Sequence, residues 1–227
     1  LLILHTYVIY PFMLKILARG RKGNEYHYNL GDDLPFVSVI ISAFNEESCI
    51  QEKIESIYLG TYPAEKFEVL VGSDRSTDRT AEIVSEMTKR YSSLRFTDFE
   101  ERRGKGNVVN DLVKTARGTI LVLTDANVIF DKETLFNMVR HFRNPAIGLV
   151  DTNMVNRGMK EAGISYQEKA YISREVSIKD LESRIWGAMM GPFGGCYAIR
   201  REDYSKVPSN FLVDDFYINM SIFEKKK

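Results

Sequence analysis

Apolar and polar positions along the chain alternate between two periods. The runs FVSVIIS (36–42), FEVLVG (67–72), LRFTDF (94–99), TILVLT (119–124) and AIGLVDTNM (146–154) are short, apolar and β-rich. Runs of that length with little alternation predict strands buried on both faces of a parallel sheet. Between them the period changes. EESCIQEKIESIYL (46–59) carries Ile50, Ile54, Ile57 and Tyr58 at helical spacing. Thr77 or Asp78 is placed to cap a helix with Ala81, Ile83, Val84 and Met87 inward. Residues 105–116 repeat the pattern with Val108, Val109, Leu112 and Val113, and 132–142 form a further helical stretch. The tract SYQEKAYISREVSIKDLESRIWG (165–187) reads as a long amphipathic helix with Tyr166, Tyr171, Ile172, Val176, Ile178 and Ile185 on its apolar side.

This β-α-β-α order predicts an α/β domain, a Rossmann-like, mostly parallel sheet with helices on both faces and right-handed crossovers. Ligands of such sheets bind beyond the carboxyl ends of the strands. The residues there are polar. The first strand runs into Ser42-Ala43-Phe44-Asn45-Glu46-Glu47, the second into Gly72-Ser73-Asp74-Arg75-Ser76-Thr77-Asp78, and the fourth into Thr124-Asp125-Ala126-Asn127. Singly, each is accounted for by helix capping or a polar first turn. Together they line one sheet edge with carboxylates where a ligand belongs.

The two ends differ from this body. Residues 1–18, LLILHTYVIYPFMLKILA, are mostly apolar but are interrupted by His5, Pro11 and Lys15. They fall short of the roughly 20 apolar residues of a full span. Two readings stay open: a partial transmembrane helix or a membrane-interfacial one. Arg19, Arg21 and Lys22 follow the apolar stretch, which argues against a cleaved signal peptide and predicts a cytoplasmic position for the following residues, at the inner membrane. Residues 19–35 are polar and rich in Gly and charge, as in a linker, so the folded domain is expected over residues 36–227.

The 227 residues suffice for a sizeable α/β core. Their 31 basic and 31 acidic residues cancel, so no overall field attracts nucleic acid. Cys49 and Cys196 have no metal-ligand spacing and read as reduced thiols. There is no internal repeat or low-complexity tract.

The segments VSVIISAFNEE, VGSDRSTDRT, GKGNVVN, TDAN, GGCYAIRRED and VDDF follow one another in this order. In that order they resemble the family 2 inverting glycosyltransferases of the GT-A fold, over about residues 36–223. The nearest subgroup in appearance is that of the membrane-attached cellulose, chitin, hyaluronan and poly-N-acetylglucosamine synthases. The resemblance implies a nucleotide-sugar donor, with UDP-sugar ahead of GDP-sugar, and a glycan or lipid-linked acceptor. It implies Ala43, Phe44, Glu46 and Asp74 at the base and ribose, and Lys105 near the nucleotide or its phosphates. Asp125 and Asn127 stand at the DxD position, implying Mg²⁺ or Mn²⁺, with Asn127 replacing an acid by a neutral oxygen ligand. Asp215 is implied as general base with Asp214 beside it, and Gly194, Gly195 and Trp186 as the acceptor side. Arg75 stands where glycine is commoner, and a side chain there disfavours a positive φ, which predicts a different path for the loop. Two alternatives accompany this reading: a membrane-tethered pseudoenzyme, and a sugar nucleotidyltransferase, whose GxGTR-type loop is absent here. No QxxRW segment follows Asp215, and the chain is expected to be part of a longer, C-terminally truncated protein.

Overall fold

A computed structural model describes residues 2–155 and 164–225. The chain divides into two compact units, Leu1–Glu25 with Asn153–Gly191, and Tyr26–Thr152 with Pro192–Lys227.

The second unit holds a sheet built, among the described residues, from six strands in the order β3-β2-β1-β4-β6-β5. These are β1 (Val37–Ala43), β2 (Phe67–Ser73), β3 (Leu94–Asp98), β4 (Ile120–Asp125), β5 (Leu149–Asp151) and β6 (Cys196–Arg200). Strands β3, β2, β1 and β4 run parallel, while β6 runs antiparallel to both β4 and β5. The expected parallel core is therefore present, and β6, which the apolar pattern did not predict, is inserted between β4 and the edge strand β5. Five residues between two glycines and a charged turn carry too short a pattern to announce a strand; pairing with β4 supplies what local preference does not.

Alternation along β1 sorts the core onto two faces. Val37, Val39 and Ile41 join a cluster with Ile50, Ile54 and Ile57 of α3 (Ile50–Tyr58), Val84 and Met87 of α4 (Thr80–Arg90), and Leu135 and Val139 of α6 (Thr134–Val139). Ile40 joins Leu70, Leu121 and Leu123 beneath Val108 and Leu112 of α5 (Lys105–Thr115) and Ile218 and Ile222 of α8 (Asp214–Glu224). Helices thus cover both sides, which is why β1 is buried almost throughout.

Side chains tie the lower, amino-terminal sheet edge together. Glu68 has a fully buried side chain that accepts hydrogen bonds from the Ser38 hydroxyl (2.7 Å), the Arg117 amide (2.7 Å) and the Arg117 guanidinium (2.9 Å). At the upper edge two loops zip together. The Asn45 side chain accepts from the Thr77 amide, Thr80 Oγ1 accepts from the Glu46 amide, and Glu47 accepts from the Arg79 amide. Asp78 accepts from the amide and hydroxyl of Thr80 at the start of α4, but the N-cap position itself falls on Arg79, which makes no side-chain capping bond, so neither Thr77 nor Asp78 is the cap that was expected. Arg75 lies at φ +57°. The loop therefore takes the left-handed path that a non-glycine disfavours, contrary to the expected detour. The Ser76 and Thr77 contacts to the Asn45 loop over-determine this path.

The first unit contains the short helix α1 (Leu2–Leu4), a π-helical stretch His5–Ile9, α2 (Tyr10–Leu17) and α7 (Ile164–Trp186). The Tyr10 hydroxyl donates to Glu182 (2.5 Å), and Arg21 donates to the Ile185 carbonyl (2.5 Å). Burial, then the Glu182 carboxylate, pushes the Tyr10 phenol up to about 12. Ile3, Val8, Phe12, Ile16 and Leu17 are exposed. No described helix is long and apolar enough to cross a membrane. Of the predicted inward residues of α7, the side chains of Tyr166 and Tyr171 lie outside the described residues, Ile172, Val176 and Ile178 are half-buried, and Ile185 is buried.

Candidate active site

Strand order fixes where a cleft opens. The chain leaves β1 towards β2 and β3 and then returns to β4 on the other side, so the connections leave β1 and β4 in opposite directions at their carboxyl ends. At that point Ser42 pairs with Asp125. A cleft of about 270 Å³ opens there, walled by Ser42, Phe44, Glu46, Asp74, Arg102, Lys105, Asp125, Ala126 and Asn127.

Of the residues implied for the nucleotide sugar, Phe44, Glu46, Asp74, Lys105 and Asp125 all reach this cleft, and so does Asn127. Ala43 does not. Its side chain is buried in the core, and its carbonyl accepts the Asp74 amide at 2.8 Å. Asp74 is 2% exposed and occupied: its two oxygens accept from the Arg103 amide (2.6 Å) and the Gly104 amide (3.0 Å), with the Arg102 guanidinium 3.4 Å away. A carboxylate satisfied by two backbone amides holds a loop in place. Here that loop delivers Lys105 to the first turn of α5. Gly104, at φ +79°, makes the bend that precedes it.

Lys105 Nζ donates to Asp125 Oδ1 at 2.7 Å. Burial pushes the lysine down, but Asp214, Asp125 and Asp215 outweigh it and hold the ammonium above its ordinary value. The same lysine therefore faces both the TDAN turn and the acid pair at the start of α8. Asp214 is raised, chiefly by burial and also by Asp215, with Lys105 opposing. Asp215 accepts the Phe216 amide at 2.7 Å. Gly194, at φ +61°, lies against it: a Cβ there would stand 3.3 Å from Asp215 Cγ, with a carboxylate oxygen nearer still. Gly195 accepts the Asp125 amide at 2.9 Å through its carbonyl. The two glycines, expected on the acceptor side, thus sit between Asp125 and Asp215. Trp186 is an exposed residue at the end of α7, in the first unit.

Three contributors escaped the sequence reading. Arg102 places its guanidinium 3.5 Å from the centre of the Phe44 ring, on the apolar wall suited to a base. Lys53 is fully buried under the cleft. Its Nζ donates to Thr124 Oγ1 (2.9 Å) and to the Val128 carbonyl, and lies 3.6 Å from the centre of the Phe130 ring. Burial pulls its pKa down to about 7. Its signal was present in the sequence: position 53 falls on the same helical stripe as Ile50, Ile54 and Ile57. Ser42 was visible as a strand-end hydroxyl, but only its register opposite Asp125 makes it part of the cleft.

Residues 38–207 match the family described as Glycosyl transferase family 2. The chain belongs to glycosyl transferase family 2. It is 32% identical over 118 residues to the poly-beta-1,6-N-acetyl-D-glucosamine synthase of Staphylococcus epidermidis, covering 52% of this chain and 28% of that protein. It is 26% identical over 174 residues to the beta-monoglucosyldiacylglycerol synthase of Nostoc sp. PCC 7120, covering 76% of this chain and 36% of that protein. The chain therefore spans about a third of the length of these relatives. Among solved structures, mannosyltransferase PcManGT from Pyrobaculum calidifontis, in complex with GDP-Man and Mn2+, superposes with a TM-score of 0.77 at 26% identity, covering 96% of this chain and 61% of that one. S. aureus TarS 1–349 shares the fold, with a TM-score of 0.61 at 22% identity over 83% of this chain and 55% of that one. The family 2 domain thus has the mostly parallel GT-A sheet, with the cleft at its carboxyl edge.

Among the described residues of this family 2 domain, no three His, Cys, Asp or Glu side chains are grouped to hold a metal ion by themselves. Asp125 and Asn127, however, place a carboxylate and an amide oxygen on the same cleft wall. This donor set fits a hard cation that takes its remaining ligands from a substrate diphosphate, the usual mode for Mg²⁺.

Proposed function

We propose that this domain transfers a sugar from a nucleotide-diphosphate sugar, UDP-linked by preference, to a hydroxyl of a glycan or lipid-linked acceptor, with inversion at the anomeric carbon. The observation that carries this reading is the position of Lys105, which touches Asp125 and is held up by Asp214 and Asp215. It joins a diphosphate-binding wall to a pair of acids across a short distance. Phe44 offers a flat face to the base, and Asp74 holds the loop that presents Lys105 to the phosphates. Asp125 and Asn127 would hold Mg²⁺ or Mn²⁺; when bound, such an ion neutralises charge on the departing diphosphate.

Asp215 takes the proton of the acceptor hydroxyl as that oxygen attacks opposite the nucleotide, in a single displacement. Gly194 makes room for the Asp215 carboxylate, which occupies the space a Cβ would take. Asp214 is raised chiefly by burial, with the neighbouring Asp215 adding to the effect and Lys105 opposing it. The exposed apolar residues of α2 suit contact with a membrane surface at the cytoplasmic face of the inner membrane. Of the two alternatives, the catalytically silent sugar-nucleotide binder rests on Asn127 and Arg75; since Arg75 follows the left-handed path a glycine would take, Asn127 is what remains to it.

Release of UDP or GDP from UDP-glucose, UDP-N-acetylglucosamine and GDP-mannose, with Mg²⁺ or Mn²⁺, tests the assignment. Asp215→Asn is expected to keep nucleotide binding and lose release by at least about a hundredfold, in line with removal of a general base. Asp125→Ala is expected to weaken metal-dependent nucleotide binding. Unimpaired turnover in both variants overturns the proposal. Wild-type binding without turnover supports the silent binder.

A further inference from the structure

Tyr197, the second residue of β6, is 1% exposed, yet among the described residues its hydroxyl has no hydrogen-bond partner. A buried phenol left unpaired is costly, and phenylalanine fills the same space without that cost. The hydroxyl therefore calls for a use. Tyr197 lines a recess of about 10 Å³ together with Ser42, Lys105, Thr124, Gly194 and Asp214. That volume admits a single oxygen atom. Ser42 and Lys105 also wall the larger cleft, so the recess adjoins the floor on which the donor is proposed to lie.

The chemistry of the walls selects the occupant. Burial, then Asp214, Asp215 and Asp125, keep the phenol protonated far above its ordinary range, so it is a hydrogen-bond donor at all working pH values. Asp214 supplies a carboxyl group and Lys105 an ammonium. A phosphate oxygen is disfavoured beside these acids. A neutral hydroxyl satisfies the recess, because it accepts from Tyr197 or Lys105 and donates to Asp214.

We propose that Tyr197 is a donor-recognition residue, whose hydroxyl donates a hydrogen bond to a hydroxyl oxygen of the transferred sugar in the recess it shares with Lys105 and Asp214. The proposal rests on the nucleotide-sugar reading above and deepens it: the residue reads the sugar and leaves the nucleotide alone. Water has the same chemistry in this recess, and the test separates the two sources.

Tyr197→Phe removes the hydroxyl and little else. Its melting temperature is expected to equal or exceed that of the wild type. Calorimetric titration with UDP-glucose, UDP-N-acetylglucosamine and GDP-mannose should show about tenfold weaker binding of the preferred donor, the scale of one hydrogen bond to a neutral group. Binding of UDP or GDP alone should be unchanged. A set of deoxy-sugar analogues of the preferred donor completes the test. For the analogue lacking the recognised hydroxyl, wild type and Tyr197→Phe should bind equally. A lowered melting temperature with unchanged donor affinity overturns the proposal, because the hydroxyl is then structural. An equal penalty across all deoxy donors also overturns it and assigns the recess to water. An equal loss for bare UDP overturns sugar recognition in favour of the nucleotide. If the wild type binds no nucleotide sugar while folded, the donor reading itself fails and this inference with it.

Discussion

Replacing Lys53 by methionine probes the support beneath the cleft. Lys53 is fully buried, and among the described residues its Nζ has no carboxylate in contact; its partners are Thr124 Oγ1, the Val128 carbonyl and the Phe130 ring. Burial pulls the pKa from 10.5 to about 7. In the unfolded chain the amine keeps its proton up to about pH 10.4, so folding between these values releases a proton. The unfolded state then binds more protons than the folded one, and stability rises with pH across this window. The limit is about 1.4 kcal/mol per pH unit, and between pH 7 and 8.5 it integrates to about 1.6 kcal/mol. The upper bound of the window is set by Cys49 and Cys196, whose thiols burial raises to about 11. They ionise first in the unfolded chain and act in the opposite sense at higher pH. At pH 7 the cost of shedding the proton, about 4 kcal/mol, nearly balances the roughly 2–4 kcal/mol lost by leaving two acceptors unpaired in the variant. The mean effect of Lys53→Met is therefore small, and its pH dependence is the diagnostic. Urea unfolding followed by far-UV circular dichroism should show wild type gaining about 1.6 kcal/mol on the variant from pH 7 to 8.5. A difference that stays flat across that range would refute the argument and mean that Lys53 keeps its proton in the folded protein. The same variant loosens the turn from Asp125 to Val128, so weaker nucleotide binding should accompany it.

Glu68→Gln is expected to lose about 2–3 kcal/mol at pH 7 by chemical denaturation, because it breaks a buried, fully bonded carboxylate. Burial pushes Glu68 up, but the Arg117 amide and guanidinium and the Ser38 hydroxyl hold it below its ordinary value. Its contribution is therefore complete above the ordinary glutamate range and fades as pH falls through the lowered value, so wild type and variant should converge in acid. Gly194→Ala adds a side chain at φ +61° against Asp215. It should cost about 1–2 kcal/mol of stability while cutting turnover far more than nucleotide affinity; equal losses in both would argue against the Gly194–Asp215 contact as the cause. Arg102→Ala frees the Phe44 ring and one contact of Asp74. Nucleotide affinity measured by titration should change severalfold with the melting temperature nearly constant, since Arg102 is exposed and its ion pair contributes little to folding.

The sequence by itself determined the α/β alternation, the strand ends that carry Phe44, Glu46, Asp74, Asp125 and Asn127, and the family those motifs mark. These are local or near-local signals: apolar runs set strands, helical spacing sets helices, and polar residues collect where strands stop. Only the tertiary structure decided how the strand ends meet. The reversal between β1 and β4 sets Ser42 opposite Asp125, and the antiparallel β6 brings Gly194 against Asp215 and Tyr197 beneath Lys105. Arg75 shows the limit most plainly: its local preference opposed the left-handed turn, and contacts with a loop about 30 residues earlier imposed it. Lys53 shows the same in the core, where a charged residue on an apolar stripe is retained because it bonds to Thr124 and Val128, 71 and 75 residues away. Pairings of that sequence separation are paid for by the whole fold, so no window of local sequence records them.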